Sequence, residues 1–296
     1  MKIRKTTDVL LCRINEREFL ETWKRTGRRA GAAALDLLLP RRCAICGRLS
    51  AGICGECRKK LPYIRGAVCF CCGRPLADPD AEYCPACRTQ RHAYTQGRAL
   101  YLYTDAVRES LHAVKYHNKR EYLEYYAQEI AEHLEEAVKT WQPQVMIPIP
   151  MHPSARRKRG YNQAEILAKE LGGILGIQVR CDVLKKVRKT SSQKELDYRA
   201  RQSNLKGAFA AAEKYTHGGR REGGLQEIPC GAKRYLPWER VLLVDDIYTT
   251  GSTVHEAAAV LKNAGVKCVY FVAICAVPFT PASNTCCLRR ENVSQV

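Results

Sequence analysis

Apolar and polar positions run through this chain in two rhythms, and their order predicts a sheet flanked by helices. Val241-Leu242-Leu243-Val244 is an unbroken apolar run, the pattern of a parallel strand buried on both faces. Asp245 and Asp246 follow where that strand is expected to end, outside the core. Next comes the polar stretch Thr249-Thr250-Gly251-Ser252-Thr253. Val254, Ala257, Ala258 and Leu261 then recur at i, i+3, i+4 and i+7, one face of a helix. Gly265 is placed to stop that helix. Helical stripes recur at Leu123, Tyr126, Ala127, Ile130 and Leu134, and at Ala164, Leu167, Ala168, Leu171 and Leu175. Residues 105–116 read as a further helix with Asp105 as its cap. Residues 144–150 and 267–276 read as strands, and 94–103 as one or two more. A helix over about 16–39, ended by Pro40, is expected in the basic N-terminus. Residues 213–238 carry glycines and little periodicity, and read as a long exposed excursion. Alternating strands and helices make a parallel α/β sheet.

In such a sheet, ligands bind past the C-terminal strand ends, where Asp245 and Asp246 are expected. A loop of small hydroxyl residues around a glycine turns N–H and O–H groups toward a phosphate. The helix that follows adds positive potential at its N-terminus. Two carboxylates there can reach ribose hydroxyls or a Mg²⁺ ion. The plainer reading is a polar turn with two solvated aspartates, which gives paired acids no reason to follow an apolar strand. Residues 241–253 resemble the phosphoribosyl-pyrophosphate loop of type I phosphoribosyltransferases. That resemblance implies that Asp245 and Asp246, with Mg²⁺, orient the ribose of phosphoribosyl pyrophosphate. It implies that Thr249, Thr250, Gly251, Ser252 and Thr253 bind its 5′-phosphate.

The chain has 296 residues, 46% of them hydrophobic, enough for a substantial core. Its net charge of +19 points to a polyanionic partner: nucleic acid, nucleotide phosphates or an anionic membrane surface. No segment has the ~18 apolar residues needed to cross a bilayer. Val9-Leu10-Leu11-Cys12 is too short for a secretory signal core, so a cytoplasmic protein is expected.

Two stretches concentrate the charge. Arg156, Arg157, Lys158 and Arg159 are expected in a loop that opens beside the acidic pair, where arginine forks match pyrophosphate oxygens. A solvated charge run is the alternative. Residues 185–206 interleave Lys185, Lys186, Arg188, Lys189, Lys194, Arg199, Arg201 and Lys206 with Gln193, Tyr198 and Asn204. They read as a lid over phosphates, as a groove for a single strand with Tyr198 as a stacking platform, or as a solvated loop. His112, Lys115, Tyr116 and His117 add polar groups to the helix ahead of the central strand, and the histidines receive no catalytic assignment.

Sixteen cysteines need a reason in a reducing compartment. Eight form four Cys-x-x-Cys knuckles: Cys43/Cys46, Cys54/Cys57, Cys69/Cys72 and Cys84/Cys87. Each knuckle offers two thiolates, so four make two Cys₄ sites suited to Zn²⁺. The simplest pairing is sequential. A cross-braced pairing is also open, and Cys71 could stand in for Cys72. An iron–sulfur cluster is the smaller alternative, and a disulfide framework fits poorly without a secretory signal. Four thiolates leave no open position, so a structural role is expected.

The order of parts extends the resemblance. The cysteine array is followed by Leu111-His112-Ala113-Val114-Lys115-Tyr116, Ile147-Pro148-Ile149-Pro150 and Arg159-Gly160-Tyr161-Asn162-Gln163. The segment from Gln193 to Asn204 and the acidic loop complete the order. Over about residues 36–276 the chain is similar to the ComF family, which joins a double zinc ribbon to a type I phosphoribosyltransferase-like α/β domain. The expected organisation is a basic helical extension at 1–40 and a double zinc ribbon at 41–90. The phosphoribosyltransferase-like domain follows at 91–280, with a flexible tail at 281–296. The resemblance implies a role in natural competence, acting on incoming single-stranded DNA with other DNA-uptake proteins. The alternative is a Mg²⁺-dependent phosphoribosyltransferase acting on a nucleobase or another amine acceptor. In it, Arg156, Arg157 and Arg159 would stabilise departing pyrophosphate.

Overall fold

A computed structural model describes residues 41–50, 52–189, 205–212, 215 and 236–278. The N-terminal helix, the middle of the 185–206 stretch with Tyr198, nearly all of the 213–238 excursion and the tail lie outside the described residues. The chain divides into two compact units, Met1–Cys54 and Gly55–Val296. In the first, a tight knuckle closes through Cys43 O, which accepts from Gly47 N at 3.0 Å, with Gly47 at a φ of 71°.

The second unit opens with the short helices α1 (Gly55–Lys60) and α2 (Pro85–Thr89). It continues through β1 (Gln96–Leu102), α3 (Asp105–Tyr116), α4 (Tyr122–Trp141), β2 (Val145–Pro148), α5 (Pro153–Arg159) and α6 (Gln163–Leu175). Then come β3 (Leu184–Lys186), β4 (Phe209–Ala211), β5 (Arg240–Tyr248), α7 (Ser252–Asn263) and β6 (Cys268–Ala276). Four strands form one parallel sheet in the order β1-β6-β5-β2. β3 and β4 make a small antiparallel pair.

Both faces of the sheet are covered, which is why β5 reads as a continuous apolar run: Val241 to Val244 are all fully buried. Val241 and Leu243 share a core with Val254, Ala257, Ala258 and Leu261 of α7. Burying Val254 and Leu261 contributes about 1.5–3 kcal/mol each. α4 and α6 pack on each other, α4 against β1 and α6 against β2 and β5. The predicted stripes are the buried faces: Leu123, Tyr126, Ala127 and Ile130 on α4, and Ala164, Leu167, Ala168 and Leu171 on α6.

Four expectations need correction. β5 does not end at Val244, because β6 stays in register with it through Tyr248 paired with Ala276. On the other side the β2 ladder does stop, with Pro148 paired to Val244. Arg156 to Arg159 lie in α5 and not in a loop. Pro153 sits in its first turn, His152 Nδ1 accepts from Ser154 N at 3.2 Å, and Gly160 at a φ of 85° stops it. Lys185 and Lys186 belong to β3, paired with Ala210 and Phe209. The cap of α3 is Thr104, with Asp105 in its first turn.

Candidate functional site

The site forms where β2 stops and β5 continues. Past Val244, strand β5 has a strand partner on one side only, and Asp245 there is part-exposed. Successive strand side chains point to opposite faces. Asp245 follows Val241 and Leu243, on the face that carries α7. Asp246 follows Leu242 and Val244 and turns toward α3 and α6.

Asp246 is 6% exposed, so it is not outside the core. Its Oδ2 lies 2.6 Å from Lys115 Nζ and accepts from Gln163 Nε2 at 3.0 Å. Burial opposes ionisation of this carboxyl, but Lys115 and then the hydrogen bonds outweigh it and hold the group below its ordinary range. The Lys115 ammonium is likewise disfavoured by burial and is held charged by Asp246. Asp245 differs. Burial, reinforced by the Asp246 charge, pushes its carboxyl up to about 8. Its Oδ1 accepts from the amide of Asp246 at 2.9 Å. Lys186 of β3 has its ammonium disfavoured by burial, and Asp245 partly offsets that.

The Arg159-Gly160-Tyr161-Asn162-Gln163 element builds the wall between α3 and the acids. Arg159 Nη1 donates to Gln163 Oε1 at 2.6 Å, and Gln163 passes the contact on to Asp246. The Tyr161 hydroxyl donates to Val114 O on α3, and the Arg120 guanidinium lies 4.3 Å from the centre of its ring. Asn162 Oδ1 caps α6 by accepting from Ala164 N, while its Nδ2 donates to Ile149 O at 3.0 Å beyond β2. The side chains of the motif tie α5 and α6 to the end of β2, to α3 and to Asp246 of β5. Arg156 pairs with Glu165 at 3.0 Å, whereas Arg157 and Lys158 are exposed on α5.

The expected phosphate loop runs from Thr249 to Gly251, with Ser252 and Thr253 in the first turn of α7. Gly251 has a φ of 81°, and a Cβ there would lie 2.6 Å from the Tyr248 hydroxyl. The Thr250 and Ser252 hydroxyls are 2.8 Å apart. The first turn of α7 carries no acid, so the N-terminal potential of this helix is left for an anion. Chemically, this end of β5 joins a carboxyl raised toward neutrality, the N-terminus of α7 and the Lys186 ammonium of β3.

The cysteines fall into two sets, Cys43, Cys46, Cys54 and Cys57, and Cys69, Cys72, Cys84 and Cys87. Within each set all four sulfurs lie within 4.8 Å of one another. Cys46 and Cys54 sulfurs are 3.7 Å apart, as are those of Cys72 and Cys84. A tetrahedron with metal–sulfur bonds of about 2.3 Å has edges of about 3.8 Å, so each set fits one structural zinc ion. The pairing is the sequential one, and Cys71 is not in the second set. Instead the Cys71 carbonyl accepts from Gly97 N of β1 at 2.8 Å. A Cβ on Gly73 would lie 2.4 Å from Gly97 O, so the second ribbon packs backbone to backbone on the sheet. Arg74, 5% exposed, lays its guanidinium 4.9 Å from the centre of the Tyr248 ring. Lys115, Gln163 and Tyr248 were not foreseen as site residues, although Lys115 and Gln163 stand inside motifs quoted from the sequence.

No helix among the described residues is long and apolar enough to cross a membrane. The family model for the double zinc ribbon domain matches residues 34–88, and that for the phosphoribosyl transferase domain matches residues 121–285. The Competence protein F of Haemophilus influenzae is 29% identical over 222 residues, 73% of this chain and 86% of that protein. The DNA utilization protein YhgH of Salmonella typhimurium is 26% identical, over 81% of this chain and 98% of its own. The Competence protein ComFC of Bacillus subtilis is 26% identical, over 72% of this chain and 79% of its own. With that domain over more than half its length, the chain belongs to the phosphoribosyl transferase domain family, and the double zinc ribbon before it is consistent with the ComF family.

Proposed function

We propose that this chain is a DNA-uptake protein that binds single-stranded DNA and keeps a Mg²⁺-dependent site for a ligand of the phosphoribosyl-pyrophosphate type. The observation that carries the sugar-phosphate reading is the opening at Asp245. A carboxylate stands there beyond the last β2 pair, on the sheet face that carries α7, whose first turn is free of acid. A Mg²⁺ ion bound there would bring ribose hydroxyls and pyrophosphate oxygens together. Asp245 would meet ribose hydroxyls or the ion. Asp246, fixed by Lys115 and Gln163, would orient the strand behind it. Thr249, Thr250, Gly251, Ser252 and Thr253 would take the 5′-phosphate, and Arg156, Arg157 and Arg159 the pyrophosphate.

The DNA part is supported by the names of the relatives, which speak of competence and DNA utilization, and by the net charge of +19. The expected setting is the cytoplasm, on incoming strands, alongside other uptake proteins. A second reading, phosphoribosyl transfer to a nucleobase or another amine, is favoured by the raised pKa of Asp245, since such a carboxylate can exchange a proton at neutral pH.

The test is calorimetric titration with phosphoribosyl pyrophosphate, with and without Mg²⁺, on the parent and on Asp245→Asn. Binding that needs Mg²⁺ and is lost in the variant is expected. Equal binding without Mg²⁺, or in the variant, would overturn the sugar–metal site. Single-stranded DNA titrated at several salt concentrations should lose affinity steeply as salt rises, and a flat dependence would remove the DNA reading.

A further inference from the structure

Tyr116 is a large aromatic residue left 58% exposed, one position after the half-buried Lys115 that holds Asp246. Its ring is nonetheless held in place. His112, one helical turn earlier, has its ring centre 4.5 Å away. The Arg159 guanidinium lies 5.6 Å from the Tyr116 ring centre, and Arg159 is itself fixed by Gln163. An aromatic ring held by its neighbours and open to water loses little conformational freedom when something stacks on it. Exposed Arg156, Arg157 and Lys158 precede Arg159 on α5. A positioned ring beside a row of cations is the chemistry that binds a single strand, through base stacking and backbone phosphates together. A duplex keeps its base faces stacked inside and offers this ring nothing.

We infer that Tyr116 is the platform on which one base of a single-stranded nucleic acid stacks, with the adjoining phosphates led onto α5. This rests on the DNA reading above and gives it a location. Arg159 touches both the Tyr116 ring and, through Gln163, the acidic pair, so the stacked base stands next to the sugar-phosphate opening. Tyr116 lies at the end of α3, whereas Tyr198, the platform suggested by the sequence, lies outside the described residues.

The experiment is fluorescence anisotropy with a labelled oligothymidylate and with an abasic oligomer of the same length, on the parent, Tyr116→Ala and Tyr116→Phe. The parent should bind the oligothymidylate more tightly than the abasic strand. Tyr116→Ala should weaken oligothymidylate binding about 5- to 150-fold and leave abasic binding unchanged. Tyr116→Phe should keep both affinities. Equal weakening on both strands, or no change on either, overturns the platform while the DNA reading stands. A parent that binds neither strand overturns the platform and the DNA reading together.

Discussion

Lys115 places its ammonium 2.6 Å from Oδ2 of Asp246, and this pair joins helix α3 to the central strand at the mouth of the site. Removing either partner leaves a largely buried charge. Lys115→Met or Asp246→Asn is therefore expected to cost about 2–4 kcal/mol. The double variant should lose less than the sum, because it buries no orphaned charge. Chemical denaturation of the four proteins measures this, and strictly additive losses would mean that the pair does not interact. Asp246 cannot be neutralised without cost to the fold, as a position outside the core would have allowed.

The acids make stability and binding depend on pH in a predictable direction. The Asp245 carboxyl is raised from 3.8 to about 8. The folded chain thus holds a proton that the unfolded chain has released, and stability falls as pH rises from about 4 through 8. Asp246 has the opposite sign: its lowered value contributes stability that is lost only in acid. Without ligand, the chain should melt lower at about pH 8.5 than at about pH 6, and Asp245→Asn should flatten that slope. Mg²⁺-dependent binding of phosphoribosyl pyrophosphate should strengthen over the same window, since the cation competes with that proton. Melts and titrations across the window check both, and parallel melting curves for parent and variant would count against the assignment.

Two zinc ions per chain are expected by elemental analysis, one for each cysteine set. Cys72→Ser should bring the content to about one and lower the melting temperature, since Cys72 is fully buried against the sheet. A variant that keeps two zinc ions would show that Cys72 is not a ligand.

Gly251→Ala should weaken sugar-phosphate binding at least about tenfold, because the new Cβ meets the Tyr248 hydroxyl in a backbone that favours glycine. Tyr248→Phe removes the oxygen at 2.6 Å and should restore part of the loss. Calorimetric titration of the single and double variants reads this out. Unchanged binding in Gly251→Ala would mean that the loop does not hold the ligand.

What was legible in the sequence was what is locally encoded. A strand buried on both faces and an amphipathic helix each leave their own period, so β5, α4, α6 and α7 stood out. The cysteine sets were legible because Cys-x-x-Cys spacing is itself the ligand geometry. α5 was hidden because seven residues with four cations carry no apolar stripe. Its signals were Pro153 at the start and Gly160 at the end. β3 and β4, three residues each, are too short to show alternation. The extension of β5 to Tyr248 is dictated by β6, and the pairing of Lys115 with Asp246 by the packing of α3. No local pattern holds either of them.

The contact between the second ribbon and β1 also bears on the order in which the chain is made. β1 lies at the rim of the sheet, and its strand partner β6 is the last of the described strands to be synthesised. Its other rim is taken up by earlier residues: Ile64 N donates to Leu100 O, Leu102 N to Pro62 O, and Gly97 N to Cys71 O. An uncovered strand rim invites pairing with other chains, and N-terminal parts fold first during synthesis. A ribbon that has taken up its metal early shields one side of β1 through the long wait for β6. Scarce zinc during translation is then expected to lower the yield of folded protein, whatever the finished molecule goes on to bind.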